Sequence, residues 1–218
     1  DVSLVGSEMC IRDSMITAAK VQAQVRQLQQ FDIAVSNFKT NYESLPGDST
    51  LIATAGDGNG RIEDAGGDDN AFTGEVANFW YHLSQTEMTE QYSNTVSPGI
   101  MVNTNAPELA MYSGGGNGGI IVGSPNEALN NFRDENVYWL TGLTTTGSGT
   151  HAAGCGGGDC GFYPYTPAQA LAIDSKMDDG GPDTGNVRSA KIYEFDSPGY
   201  TTCANGGAYV VANSTNYC

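Results

Sequence analysis

The chain is poor in basic residues, and this excludes one class of partner. Only 9 of its 218 residues are Lys or Arg, against 25 Asp or Glu, which gives a formal net charge of −16 and a pI near 4.1. Proteins bind phosphate backbones mainly through Lys and Arg, which here are scarce and not clustered. We therefore expect no nucleic-acid partner. The acidity is compatible with divalent cations and with an extracellular setting.

Long apolar runs are also missing. The chain has no stretch of 18 or more apolar residues and no basic leader followed by an apolar run, so as given it predicts neither a spanning helix nor a signal peptide. Residues 3–14, SLVGSEMCIRDS, resemble a translated sequencing-adapter tail. We assign residues 1–14 to an artefactual or disordered tail and give Cys10 no structural role, the alternative being a genuine flexible N-terminus. Residues 15–218 then form a single domain.

Catalytic signatures are absent. There are two histidines, His82 in an aromatic helical pattern and His151 in GSGTHAAG, and no G-x-S-x-G motif accompanies them. The Gly-rich SGGGNGG lacks the lysine of a phosphate-binding loop. The sequence predicts that the protein is not an enzyme. A secreted hydrolase is a weaker alternative, which would need a cleft with paired carboxylates or a perturbed histidine.

A long amphipathic helix dominates the first part of the chain. Its apolar residues recur three or four apart over residues 16–45, and Pro46 and Gly47 supply the stop. The predicted stem helix, residues 15–46, would span about 45 Å over its periodic part. The residues of its apolar stripe are Val21, Val25, Leu28, Phe31, Val35, Phe38 and Tyr42.

The remainder, residues 47–218, predicts a head of mixed structure. GEVANFWYHLSQTEMTEQYS is typical of a second helix, whose aromatic residues we expect to pack on the first, and TPAQALAIDSKMDDG predicts a third helix capped by Thr166. ELAMYS, GIIVGS, NVYWLTGL, VRSAKIYEF and AYVVA predict short antiparallel strands. The fold class is therefore α+β, with a long N-terminal helix packed on a small antiparallel sheet and long Gly-rich loops.

Four cysteines remain once Cys10 is set aside, and they indicate disulfides. They are Cys155, Cys160, Cys203 and Cys218, and four cysteines allow three pairings. Proximity in sequence favours Cys155 with Cys160 and Cys203 with Cys218, which implies an oxidising compartment. A structural zinc site is the competing interpretation, but four residues between the sulfurs of CGGGDC do not match the usual ligand spacing.

The stretch AGDGNGRIED partly matches a calcium-binding loop. Aligning Gly60 with the turn glycine of such a loop makes Asp57, Asn59 and Glu63 candidate ligands. Ala55 occupies the first ligand position and Gly66 the position of the bidentate acid. A site would therefore borrow Asp64, Asp68 or Asp69. The alternative is a solvated acidic turn.

A second acidic cluster follows the third helix. Asp174, Asp178, Asp179 and Asp183 gather where that helix ends, which the helix dipole disfavours unless a cation neutralises them. Lys176 and Arg188 are one source of positive charge, and structural Ca²⁺ is the other. Calcium is the only cofactor that the sequence suggests, at either cluster.

Two motifs together resemble the type IV pilin and type II secretion pseudopilin families. Residues 42–48, YESLPGD, are similar to the sequence that ends the stem in bacterial prepilin-type proteins, and residues 172–188, AIDSKMDDGGPDTGNVR, are similar to a sequence in their C-terminal half. The resemblance covers most of residues 15–218. In this family the second stretch is usually a structural loop.

The resemblance implies a structural role. Such subunits begin with a cleaved leader and about 25 apolar residues, which continue the stem helix upstream and anchor it in the membrane. The apolar part is absent here, so the membrane would be contacted only through a missing upstream segment. The implied function is a filament subunit for adhesion, motility or secretion, at the bacterial surface or in the periplasm and anchored in the inner membrane before assembly. Its partners would be other pilin subunits, contacted through the N-terminal helix. The assembly residues would be those of the apolar stripe, Val21, Val25, Leu28, Phe31, Val35, Phe38 and Tyr42.

A binding module is the alternative from another class. A minor pilin or surface adhesin would contact a ligand through the loops of residues 94–164. An exposed aromatic patch would favour it, formed by Tyr112, Tyr138, Trp139, Tyr163 and Tyr165.

Overall fold

The computed structural model describes residues 2–52, 56–66, 72–96, 100–112, 118–124, 135–142, 164–189, 203–214 and 218. Within them the elements follow the order α1 (Val2–Tyr42), α2 (Gly74–Gln85), a 3₁₀ turn (Ala110–Tyr112), β1 (Gly118–Gly123), β2 (Val137–Gly142), α3 (Pro167–Met177), β3 (Ala204–Asn205) and β4 (Ala208–Tyr209). The molecule is α+β, as the sequence predicts.

Helix α1 begins earlier and ends earlier than predicted. It starts at Val2, so the helix includes the segment assigned to a tail, and it ends at Tyr42 rather than at residue 45 or 46. Glu43 adopts the left-handed conformation, with φ of 53°, and donates its N–H to the Lys39 carbonyl at 3.0 Å. This is an ordinary helix-ending geometry. Pro46 and Gly47 therefore belong to the turn that follows the helix.

The predicted apolar stripe of α1 is largely buried. Five of its seven residues are at most 9 % exposed, while Val35 and Tyr42 are half-buried and pack against the same core. The five buried residues are Val21, Val25, Leu28, Phe31 and Phe38. They pack within the chain's own core and are not exposed for the subunit contacts that the resemblance implies for this stripe.

Two glutamines join α1 to the segment before β1. Gln24 is fully buried, and its Oε1 accepts the N–H of Met111 at 3.3 Å. Its Nε2 donates to Gln27 Oε1 at 2.9 Å, while Gln27 Nε2 donates to the Glu108 carbonyl at 2.7 Å. Gln27 Oε1 also accepts the Ala110 N–H at 3.0 Å. The pair satisfies backbone groups that a purely apolar stripe would leave unpaired.

Helix α2 packs its aromatic residues on α1, as expected. The rings of Phe31 and Trp80 lie 4.6 Å apart, and Trp80 Nε1 donates to the Ile120 carbonyl of β1 at 2.9 Å. Trp80 thus connects both helices to the sheet. The predicted extent of α2 is wrong, because the helix ends at Gln85 and Glu87 has a φ of 57°. Met88 and Tyr92 therefore lie beyond it.

The main sheet is one antiparallel pair. Strand β1 pairs with β2 from Gly118 opposite Gly142 to Gly123 opposite Val137, which confirms the strands predicted in GIIVGS and NVYWLTGL. β1 is buried throughout and β2 is half-buried. The strand predicted in ELAMYS is wrong. The 3₁₀ turn takes up Ala110–Tyr112, Glu108 makes an isolated bridge to Gly119, and Ser113 lies outside the described residues.

Helix α3 packs along α1 and carries the predicted cap. The Thr166 hydroxyl accepts the Gln169 N–H at 3.3 Å, and Gln169 Oε1 accepts the Thr166 N–H at 2.9 Å. This reciprocal pair is a capping box, and Pro167 occupies the first turn. Gly180 follows the helix with φ of +76°.

The last strands form a short hairpin. Strand β3 pairs with β4 around the turn glycines Gly206 and Gly207, which confirms part of the strand predicted in AYVVA. Of VRSAKIYEF, residues 187–189 are not in a strand and residues 190–195 lie outside the described part. No helix among the described residues is both long enough and apolar enough to cross a membrane.

Candidate functional site

The turn after α1 is buried and holds a carboxylate. Asp48 is 1 % exposed. Its Oδ1 accepts the Gly58 N–H at 2.6 Å and its Oδ2 accepts the Gly60 N–H at 2.9 Å. A buried charge is tolerated when hydrogen bonds replace its hydration, and bonds to a carboxylate are among the stronger ones. Asp48 therefore fixes the segment of residues 56–66, here called the acidic loop, against the end of α1.

A second carboxylate, at the start of α2, holds the same loop. Glu75 Oε1 accepts the Asp57 N–H at 2.9 Å and Oε2 accepts the Glu63 N–H at 3.1 Å. In return the Glu63 carbonyl accepts the N–H groups of Glu75 at 2.9 Å and Val76 at 3.3 Å. The loop thus satisfies two of the free donors at the N-terminus of α2, where a negative side chain is also favoured.

The electrostatic state of Glu75 reflects this setting. Burial is the main reason that its pKa is raised above the usual value, and the negative charges of Asp48 and Asp57 raise it further. The hydrogen bonds from the backbone of Asp57 and Glu63 act in the opposite direction. Three carboxylates are therefore held close together at some electrostatic cost, offset by backbone N–H donors.

The acidic loop is also tied to the sheet. Ile62 is fully buried, its N–H donates to Asn136 Oδ1 at 2.8 Å, and its carbonyl accepts the Ser124 N–H at 2.8 Å. Asn136 Nδ2 donates to the Gly60 carbonyl at 2.9 Å. Ile62 thus anchors the acidic loop in the core. The loop connects the turn after α1, helix α2 and the residues directly next to β1 and β2.

Gly47 and His82 complete the turn. Gly47 has φ of +88°, and a Cβ at this position would lie 2.6 Å from the Glu75 carbonyl oxygen. Its N–H donates to His82 Nδ1 at 3.0 Å. His82 is fully buried and stacks on Phe38 with ring centroids 6.2 Å apart. It is a packing residue and also a hydrogen-bond acceptor for the turn. His151 lies outside the described residues.

The structure regroups the first set of calcium candidates. Asp57 comes together with Asp48 and Glu75, each offering an oxygen within 4.8 Å of the others. Sequence reasoning assigned no ligand role to Asp48 or Glu75. Their separation along the chain hides the proximity, although Asp48 is part of the YESLPGD motif. Each of the six carboxylate oxygens already accepts an N–H donor. Oxygens at this spacing suit a hard cation, but here backbone and side-chain donors already bind them.

The other candidates of the acidic loop bond to one another. Asn59 Nδ2 donates to Asp57 Oδ2 at 3.0 Å and to Glu63 Oε2 at 3.2 Å. Arg61 Nε lies 3.1 Å from Glu63 Oε1 in an ion pair. Asp64 Oδ1 accepts the Gly66 N–H at 2.6 Å. Asp68 and Asp69 lie outside the described residues.

The second acidic cluster also folds around backbone donors. Asp178 Oδ2 accepts N–H groups from Asn186 and from Val187, the latter at 3.1 Å. Asp179 Oδ1 accepts the Gly181 N–H at 2.8 Å, and its Oδ2 accepts the Thr184 hydroxyl at 2.7 Å. These bonds lower the pKa of Asp179, with the Thr184 bond first among the causes. The part of AIDSKMDDGGPDTGNVR that follows α3 therefore forms a loop closed by its own carboxylates.

Asp174 connects this loop to the C-terminal hairpin. It is fully buried, its Oδ1 accepts the Gly180 N–H at 2.9 Å, and its Oδ2 accepts the Tyr209 hydroxyl at 2.9 Å. Burial raises its pKa above the usual value, against the effect of these hydrogen bonds. Asp174, Asp178 and Asp179 lie close enough to share a cation. Asp183 is exposed and is not in this group.

The C-terminus is held in place by covalent and backbone bonds. Cys203 and Cys218 are joined by a disulfide, as predicted. Cys218 exchanges two backbone hydrogen bonds with Tyr165, at 2.9 and 3.2 Å, just before α3. Cys155 and Cys160 lie outside the described residues, so their pairing stays a prediction.

The aromatic residues that would favour a ligand-binding patch are largely packed inside. Tyr165 is 5 % exposed, and the ring of Tyr138 stacks on Trp80 with centroids 6.3 Å apart. Trp139 is half-buried. Tyr163 and the side chain of Tyr112 lie outside the described part. Tyr138 and Tyr165 contribute to the core rather than to an exposed surface.

Helix α1 carries exposed apolar residues before its buried stripe. Residues 11–20 are all exposed, whereas burial begins at Val21. Met15 and Ile16 are 68 % and 48 % exposed. Ten helical residues extend the helix by about 15 Å. Helix α1 thus leaves the core as a projecting segment with apolar side chains in solvent.

The arrangement as a whole is a compact head with two carboxylate-organised loops and a projecting helix. Comparisons of the chain with protein-family models, with curated proteins and with solved structures found no significant match, so the resemblance to pilins rests on the two sequence motifs.

Proposed function

We propose that the chain is the head and lower stem of a structural subunit of a type IV pilus or pseudopilus filament, at the bacterial surface or in the periplasm. The observation that carries the proposal is the course of α1. One end of this helix is buried through the stripe that begins at Val21, while residues 11–20 project from the head with all faces in solvent. A continuous helix of this kind is what a stem requires.

Assembly would use the parts of α1 that the head leaves free. Met15 and Ile16 are exposed large apolar residues, and burying such side chains between subunits is favourable. The partners are other copies of the subunit, and the membrane is contacted only upstream of this segment. Before assembly that upstream part would anchor the subunit in the inner membrane.

The two motifs support this proposal through their packing. YESLPGD contributes the buried Asp48 and Gly47, and AIDSKMDDGGPDTGNVR contributes Asp174 and the loop that Asp178 and Asp179 close. Both stretches use carboxylates to fix backbone donors. Under the proposal they keep the head rigid, and neither motif performs chemistry.

The upstream coding sequence provides the first test. A filament subunit is expected to have a leader that ends in Gly, then Phe or Met, Thr, two further residues and Glu. An apolar stretch long enough to cross a membrane should follow and continue into α1. A conventional signal peptide at this position would contradict the proposal and indicate a free secreted domain.

Labelling of cells provides the second test. The turn Gly206–Gly207 is exposed, and a Cβ at either glycine would meet nothing within 4 Å, so a short epitope inserted there should leave the fold intact. We expect immunogold particles along surface filaments of the producing cells. A matched insertion at Gly47, where there is no room for a Cβ, should abolish the labelling. Soluble secreted protein without filaments would contradict the proposal.

Calcium binding stays a prediction of the sequence. If it is correct, Ca²⁺ in place of a chelator raises the melting temperature of the oxidised chain, since a ligand of the folded state stabilises it. The variant Asp57→Asn tests which cluster binds Ca²⁺. It removes one exposed carboxylate of the first cluster and leaves Asp174, Asp178 and Asp179 of the second unchanged. The same melting temperature with Ca²⁺ and with chelator would contradict both assignments.

A further inference from the structure

A groove of about 300 Å³ lies between α1 and α3. Its lining consists of Gln22, Val25, Arg26 and Gln29 from α1 and Lys176 from the last turn of α3. Gln22, Arg26 and Gln29 are spaced four and three residues apart and so lie on one face of the helix. All three are exposed, as is Lys176. Apart from Val25, the groove presents amide and cationic groups to solvent.

The chemistry of the groove suits a carboxylate. Arg26 offers a planar fork of N–H donors and Lys176 a compact positive charge, and both groups bind carboxylates well. The two glutamines add further N–H donors at the edges. Within the described part of the chain neither Arg26 nor Lys176 forms an ion pair. Their charges are therefore available to a partner.

The distribution of charge along the chain indicates which partner would supply the carboxylates. Helix α1, residues 2–42, contains four basic and three acidic residues, a net charge of +1, whereas residues 43–218 contain five basic and 21 acidic residues, a net charge of −16. Two heads therefore repel each other, while the helix of one copy attracts the head of another. A contact of helix to head uses two different surfaces, so it leaves both open on the outer copies and can continue along a filament.

We propose that the groove lined by Gln22, Arg26, Gln29 and Lys176 is a carboxylate-binding surface for the acidic head of a second copy of this chain. The inference rests on the filament function proposed above and names the subunit contact. Arg26 and Lys176 provide the attraction, and the unlike charges of helix and head determine its direction. Because the pairs are exposed, the contact should be sensitive to salt.

Self-association of the full chain tests the proposal by sedimentation equilibrium at salt concentrations of about 0.02 M and about 0.5 M. We expect association at low salt that weakens about tenfold or more at high salt. The double variant Arg26→Glu, Lys176→Glu should weaken association at low salt by about tenfold or more. Lys39→Glu, which makes the same charge change as either substitution alone at an exposed position of α1 outside the groove, should cost less than about threefold. Urea unfolding of each variant confirms that the fold is retained.

Several outcomes would overturn the inference. They are a wild-type chain that stays monomeric at low salt, a double variant that associates like the wild type, and a Lys39→Glu variant that weakens association equally. Binding of an acidic peptide without self-association would assign the groove to a different partner and also overturn it. Immunogold labelling keeps the two proposals apart. Normal filaments of the double variant contradict only the groove, whereas the absence of wild-type filaments contradicts the filament function.

Discussion

At the scale of single residues, carboxylates act here as acceptors that organise loops. Asp48 and Glu75 each accept two backbone N–H groups of the acidic loop, and Asp174 accepts one backbone N–H and one hydroxyl. The hydrogen bonds replace the hydration that both the carboxylates and their donors lose on burial. The residues around them must be small enough to let the backbone approach, and Gly47 is the clearest case.

Gly47→Ala should destabilise the protein strongly. The position combines φ of +88° with a Cβ that would lie 2.6 Å from the Glu75 carbonyl oxygen. We expect the free energy of unfolding in urea to fall by about 2–4 kcal/mol. The control is Gly206→Ala, which has φ of +59° and open space and should cost about 1 kcal/mol. Equal losses at both positions would show that the close approach at Gly47 does not matter.

Asp174→Asn and Asp179→Asn should change stability with opposite dependence on pH. The pKa of Asp174 is raised in the folded protein, so its titration contributes stability below the ordinary value of 3.8, and this is lost as pH rises through the folded pKa. The pKa of Asp179 is lowered, so its contribution is present above 3.8 and is lost as pH falls towards the folded pKa.

The measurement is the free energy of unfolding of the wild type and both variants from about pH 3 to 7. The advantage of wild type over Asp174→Asn should grow as pH falls towards 4, whereas its advantage over Asp179→Asn should shrink below that pH. Parallel curves for the two variants would contradict the assigned directions.

At the scale of elements, α1 combines an apolar stripe with a polar connection to the rest of the head. Gln24 and Gln27 pair with each other and with the backbone of residues 108–111. A fully buried glutamine in such a stripe fixes the alignment of the helix because its amide fits only where donors and acceptors match. The apolar residues on either side supply most of the burial.

Gln24→Ala should therefore cost more than a surface change on the same helix. The substitution leaves the Met111 N–H without its acceptor and opens a space in the core, and we expect a loss of about 2–4 kcal/mol. Gln30→Ala, at an exposed position of α1, should change stability by less than about 0.5 kcal/mol. Chemical denaturation of both variants gives the comparison. A Gln24→Ala variant as stable as Gln30→Ala would exclude a structural role for the glutamine pair.

The elements that repeat a pattern could be predicted from the sequence, and those that depend on distant contacts could not. The stripe of α1, the capping box at Thr166 and the strands GIIVGS and NVYWLTGL carry local signals of periodicity or capping. ELAMYS alternates like a strand, but the N–H groups of Ala110 and Met111 donate to Gln27 and Gln24 of α1. The grouping of Asp48 with Glu75 was also hidden, because it depends on how the turn after α1 folds onto α2.

At the scale of the whole molecule, the acidic head and the projecting helix are two unlike parts. The head is stabilised by its carboxylate-bonded loops, by the capped helix α3 and by the disulfide between Cys203 and Cys218. The helix leaves it with exposed side chains at residues 11–20. A molecule of this form has its stability in the head and its free contact surface on the helix.

The disulfide should contribute substantially to that stability. Its two cysteines are 15 residues apart, and closing a loop of that length restricts the unfolded chain by roughly 3 kcal/mol. We expect Cys203→Ser, Cys218→Ser to lower the free energy of unfolding by about this amount. Cys10→Ser, which changes a thiol to which the sequence assigns no partner, is the control. A double variant as stable as Cys10→Ser would contradict the prediction.

The backbone pairing of Cys218 with Tyr165 has a practical consequence for orientation measurements. Because residue 218 is bonded on both sides, through its sulfur to Cys203 and through its backbone to the residue before the Thr166 cap, it cannot swing independently of α3. A fluorophore joined there by a short rigid link would rotate with the head. In the filament proposed above, its polarisation would report the inclination of each head to the filament axis.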